Sequence, residues 1–112
     1  MNEPVEVVRG IVAEGAEADD VLRAVVAALA AQEELRWAGI AFTEDDALRL
    51  GPARGEPDEA KRERVPIEYD GATVGELWAD GDARREDLER IADLIAPYVL
   101  IGWDTGGEAW EP

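Results

Sequence analysis

A chain of 112 residues has the size of one domain, so any activity is expected from a single core or a dimer of it, and a multidomain enzyme is excluded. Leu, Ile, Val and Phe make up 26 residues, about 23 %, which is above the roughly 20 % below which a highly charged chain stays disordered. Acidic residues outnumber basic ones 27 to 11, and a net charge of −16 repels phosphate backbones and anionic lipid headgroups alike. The chain contains no Cys and no His, which removes thiolate nucleophiles, disulfides, imidazole bases and the usual zinc ligands.

The acidity has a particular composition: one Lys, Lys61, stands against ten Arg, beside 19 Ala. A halophile's surface and a GC-rich genome both produce this bias. Residues 1 to 10 are acidic where a secretion signal is basic, and no apolar run approaches the length of a membrane span. A cytoplasmic protein is expected, without nucleic-acid or membrane partners.

In chain order, Val5, Val8, Ile11 and Val12 recur at helical spacing between Pro4 and Gly15 and predict a first helix. Asp19 or Asp20 is placed to cap a second, whose stripe Leu22, Val25, Val26 and Leu29 runs through Ala-rich sequence to Glu34. From Leu35 to Phe42 the run is too short and too aromatic for a helix and reads as a buried strand. The polar turn 43–46 leads into the alternating Ala47–Leu50, which Gly51-Pro52 ends, making a hairpin. Residues 53 to 62 read as an exposed connection.

Val65, Ile67 and Tyr69 alternate with polar residues before Asp70-Gly71, a two-residue turn suited to positive φ, so a second hairpin returns through Ala72–Ala79. Asp80-Gly81-Asp82 is expected to break that strand and cap a closing helix from Arg84 to Gly102, in which Pro97 is expected to introduce a kink. The tail 103–112 adds Trp103 and Trp110 among turn residues. This order suits an α+β fold with a small antiparallel sheet covered on one face by its terminal helices.

Several of these segments together resemble a GAF domain. Trp37 to Phe42, Leu48 to Gly55, Val65-Pro66-Ile67, Asp70-Gly71, Val74-Gly75-Glu76-Leu77 and Asp87 carry the resemblance over roughly residues 20 to 102. It implies a helix at 1–18, a GAF-like domain at 19–102 and a tail at 103–112. The sheet is then GAF-like and antiparallel, covered on one face by the N- and C-terminal helices. A small-molecule site is implied on the other face, as is common in dimeric signalling proteins. The pocket-side insertion between the two hairpins is shortened to about a dozen residues, which leaves that face an open groove or one covered by a partner or by the tail.

Within the family, the Trp-x-Gly and Leu-Gly-Pro segments look most like the free methionine-R-sulfoxide reductases. Those enzymes act through cysteines, and none is present here, so reductase activity is not expected. The resemblance matches their strand-one tryptophan to Trp37, replaces the aromatic four residues later by Ala41, and aligns a pocket carboxylate with Arg62. Of two pocket aspartates, the first position holds Trp78 and the second survives as Asp80.

Each of these residues has a plainer reading. Trp37 and Trp78 offer indole faces to a planar ligand, or simply fill core or a dimer interface. Asp80 is placed to orient a ligand amine, or to cap the closing helix. Arg54, Arg62 and Arg64 can grip an anion, or pair with nearby Glu. The acidic turns at 44–46 and 80–82 lack the ligand spacing of a calcium loop, and Asp104-Thr105-Gly106 has the protease string but not a protease's context. No cofactor and no metal centre is expected.

The expectation is therefore a stand-alone, non-enzymatic GAF-like regulatory module. Its candidate ligand contacts are Trp37, Arg62, Trp78 and Asp80, and its candidate homodimer or partner contacts are Trp103 and Trp110. The alternative is a GAF-derived scaffold that dimerises or binds another protein without a ligand.

Overall fold

The computed structural model describes residues 4–15, 17–44, 47–82 and 84–103, apart from the side chains of Glu44 and of residues 100–103. Helices α1 (Pro4–Ala13) and α2 (Ala18–Ala30) precede strands β1 (Leu35–Glu44) and β2 (Ala47–Gly55). A single 3-10 turn, Glu59–Lys61, leads into β3 (Arg62–Tyr69), β4 (Ala72–Gly81) and helix α3 (Arg85–Trp103). The strands form one antiparallel sheet in the order β2-β1-β4-β3. The two hairpins thus pair directly through β1 and β4, which occupy the centre.

All three helices lie on one side of the sheet. The α2 stripe Val21, Leu22, Val25, Val26 and Leu29 packs over β1 and β2, while Leu88, Ile91, Ala92, Ile95 and Val99 of α3 pack over β3 and β4. Helix α1 lies against both of these helices and contributes Val5 and Val8 to the same core. From the sheet, Ala38, Ile40, Phe42, Val65, Ile67, Leu77 and Ala79 complete that core. Their alternate positions therefore point to the helix-free face, since successive side chains in a strand point to opposite sides.

Several boundaries differ from those expected, each for a physical reason. Glu17, not Asp19 or Asp20, precedes α2, and its side chain makes no capping bond; the two aspartates sit in the helix's first turn, where negative charge suits the helix dipole. Strand β2 runs through Gly51-Pro52 to Gly55, because it is an edge strand and a proline there forfeits no necessary ladder bond. Asp80 lies inside β4, opposite both Trp37 and Arg62, and does not cap α3. The Asp70-Gly71 turn has positive φ at both residues, 53° and 82°, as the hairpin reading requires.

Gly75 has a packing reason: a Cβ there would lie 2.2 Å from the carbonyl oxygen of Ala41 on the neighbouring strand, an atom that cannot swing away. Gly75→Ala is expected to lose about 1–3 kcal/mol by overpacking. Phe42→Ala, which removes the largest fully buried side chain, is expected to lose about 3–5 kcal/mol. Both losses will be read as lower urea midpoints at unchanged slope.

Candidate functional site on the open sheet face

The middle of the helix-free face carries a cluster of interacting charged and aromatic side chains. The register aligns Trp37, Asp80 and Arg62 in one row across β1, β4 and β3, and Gly39, Trp78 and Arg64 in the next. Trp37 reaches this face through an irregularity in the β1–β4 pairing between Leu35 and Trp37. Unbroken alternation would point Leu35 and Trp37 the same way; the bulge leaves Leu35 in the core and re-aims Trp37 outward. Its indole then lies across Gly39, where a Cβ would come within 2.5 Å of the ring. Leu50 of β2 adjoins the same spot.

At the centre is Asp80, a carboxylate with 0 % exposure. It accepts from Arg62 Nε at 2.8 Å on one oxygen, and from Arg62 Nη2 at 2.9 Å and the main-chain N–H of Asp58 at 2.7 Å on the other. This is the fork-to-carboxylate geometry that only a guanidinium makes. The flat Arg62 group also rests against both indoles, 4.6 Å from the ring centre of Trp37 and 5.2 Å from that of Trp78. The two rings are 6.5 Å apart and tilted by 43°, so they form an open angle across which the guanidinium lies. Its third nitrogen is 3.6 Å from Glu59.

The hydrogen bond to Asp80 raises the Arg62 pKa above the ordinary arginine value; desolvation opposes the shift, and the charges of Asp80 and Glu59 add to it. Because the folded-state value is raised, this contribution to stability is present at neutral pH, while the Asp80 carboxylate is ionised, and is lost on the alkaline side only in strong alkali.

Around this centre, Arg64 stacks on Trp78 at 4.2 Å and stands 4.0 Å from Glu76, while the indole N–H of Trp78 donates to Glu76 at 2.8 Å. No buried side-chain polar atom among the described residues lacks a partner. Leu48 and Leu50, 40 % and 46 % exposed, extend the face toward the β2 edge.

The structure thus brings together Trp37, Arg62, Trp78 and Asp80, the four residues singled out in the sequence, and changes the role of two. Asp80 holds Arg62 in place of a helix terminus, and Arg62 fills the space between carboxylate and indoles. Glu76 was missed as a member of the cluster, its i, i+2 spacing from Trp78 being the available signal, and Arg64, expected to grip an anion or pair with a nearby Glu, stands beside it. Arg54 lies exposed on β2, outside it. The side chain of Trp103, the turn residues Asp45 and Asp46, the Asp104-Thr105-Gly106 string and Trp110 fall outside the described residues. Among the described residues, Glu17, Asp19 and Asp20 can bring three carboxylate oxygens within 4.8 Å of one another, at an exposed helix start. No helix among the described residues is long and apolar enough to cross a membrane.

No protein-family model matches the chain, and no curated protein matches it in sequence. Solved structures do match in shape. The GAF domain of an Acinetobacter phosphoenolpyruvate-protein phosphotransferase aligns at TM-score 0.68 and 12 % identity, over 96 % of this chain and 98 % of that one. The fRMsr of Staphylococcus aureus, in complex with substrate, aligns at TM-score 0.67 and 18 % identity, over 88 % and 97 %. The type II free methionine-R-sulfoxide reductase of Thermoplasma acidophilum aligns at 0.61 and 21 %, over 79 % and 94 %.

Two of these three are enzymes, which corrects the expectation of a non-enzymatic protein: that expectation came from composition, and the architecture itself is one on which catalysis takes place. At these identities the likeness speaks to the fold alone. An antiparallel sheet with helices on one face and near-complete coverage of these structures make the fold of this chain GAF-like.

Proposed function

We propose that this chain is a GAF-like regulatory module that binds a small molecule on the helix-free face of its sheet, through Trp37, Trp78, Asp80 and Arg62. The observation that carries this reading is the burial of Asp80. A buried ion pair is no more stabilising than well-packed apolar side chains of the same volume, so a fold that needed only coverage would do as well with leucines. Burial of a charge beside two indoles is instead how a site recognises a charged, flat group.

A second reading, a dimerisation or protein-binding scaffold, is favoured by one observation: Leu48 and Leu50 stand exposed on the same face, at an edge strand. Exposed apolar residues at a sheet edge are a common contact between chains.

Native mass spectrometry, with tryptophan fluorescence scanned against a metabolite and nucleotide panel, tests the first reading. A bound small molecule whose affinity falls at least tenfold in Trp78→Ala is expected; Trp78 is preferred to Trp37 because it is only half-buried. Light scattering after size exclusion tests the second, which requires a dimer in the wild type that Leu50→Asp converts to monomer. A ligand-free dimer of that kind, with no fluorescence response, would overturn the first reading.

A further inference from the structure

We propose that Trp37, Trp78 and Asp80 form a guanidinium-recognition site which Arg62 fills from within the chain, and that a guanidinium-bearing small molecule enters it by exchange with Arg62. The inference rests on the small-molecule reading above and names its ligand class.

Four features of the geometry support it. The carboxylate presents both oxygens to one planar fork, at 2.8 and 2.9 Å. A rounded ammonium cannot make that paired contact. The indoles border the same group, whose central carbon lies 4.6 and 5.2 Å from their ring centres, so aromatic surface and carboxylate act on the cation together. Asp80 also keeps a donor of its own, the main-chain N–H of Asp58 at 2.7 Å, which belongs to neither Arg62 nor a ligand. It is held in position whichever guanidinium is bound.

The outgoing arm has somewhere to go. Glu59, 82 % exposed, already stands 3.6 Å from the Arg62 guanidinium, so a displaced Arg62 keeps a carboxylate partner in solvent. Exchange then trades one paired guanidinium for another at Asp80 and leaves no charge unpaired, the condition under which a buried carboxylate tolerates turnover of its partner. Because Arg62 is tethered beside the site, it competes at high effective concentration, and removing it should strengthen binding.

The test is a titration of Arg62→Ala with methylguanidinium up to about 10 mM, well below denaturing levels, followed by calorimetry and tryptophan fluorescence. Saturable binding at least tenfold tighter than in the wild type is expected, together with a raised melting temperature. Both should vanish in Arg62→Ala/Asp80→Asn, weaken in Arg62→Ala/Trp78→Ala, and be absent with urea as the uncharged analogue. Should Arg62→Ala not fold unaided, Arg62→Gln, whose amide can still donate to one Asp80 oxygen, carries the same titration. In the wild type, methylguanidinium should shift the Arg62 Nε–H resonance in isotope-labelled protein.

A folded Arg62 variant that binds methylguanidinium no better than its Asp80→Asn counterpart would overturn the proposal. If that happens while the wild type still binds a panel molecule in a Trp78-dependent way, the guanidinium assignment falls and the small-molecule reading stands. If neither binding is seen, both fall.

Discussion

A charge with no access to water sits on the one face of the sheet that the helices leave bare, and the arrangement of that face follows from it. Asp80 needs donors on both oxygens, and Arg62 together with the Asp58 main chain supplies three. Meeting that need draws edge strand β3 toward β4, fixes the start of β3 at Arg62, and anchors the short connection that arrives from β2. The guanidinium in turn rests against the indoles of Trp37 and Trp78. Removing either ion would leave the other in surroundings built for a pair, with unequal consequences. Asp80 is wholly enclosed, whereas Arg62 borders solvent and Glu59.

This cluster also accounts for how the sheet does without a second layer. A four-stranded sheet with helices on one side ordinarily leaves an apolar or ligand-covered surface on the other. Here Gly39 and Ala41 keep the floor low, the Trp37 ring lies against Gly39, and the Arg62–Asp80 pair with Trp78, Arg64 and Glu76 covers much of the β4–β3 half. On the β2 half the large apolar side chains Leu48 and Leu50 stand exposed, and on β3 Pro66 and Tyr69 are exposed as well. The two functional readings divide along this line: the polar-aromatic half suits a small planar cation, and the leucine half suits another polypeptide.

The likeness to both a phosphotransferase GAF domain and sulfoxide reductases shows why function must be argued from the face and not from the architecture. The helical side of the sheet holds apolar packing that serves any such protein equally. The other side carries the charged and aromatic cluster, where substitution alters surface chemistry without dismantling the core. Arg62, at a position where the resemblance places a carboxylate, is such a change: it reverses the local charge and pairs with Asp80.

Much of the scaffold was legible in the chain itself. The apolar stripe of α2, the alternation of β3 and the Asp70-Gly71 turn are local patterns, and local patterns dictate local structure because 3.6- and 2-residue periods each bury one face. The resemblance names Trp37, Arg62, Trp78 and Asp80 as candidate ligand contacts. What linear reading missed depends on partners distant along the chain. Asp80 followed by Gly81 and Asp82 looks like a helix cap until Arg62 is seen 18 residues earlier, directly across a strand pair. Gly51-Pro52 looks like a strand end until β2 proves to be an edge.

The bulge beside Leu35 has no sequence signature, yet it decides which way Trp37 faces. Composition and periodicity determined that this is one acidic α+β domain with a helix-backed sheet. Only the tertiary structure decided that a buried carboxylate, two indoles and the chain's own guanidinium meet on the opposite face, because side chains separated by tens of residues meet only through strand register.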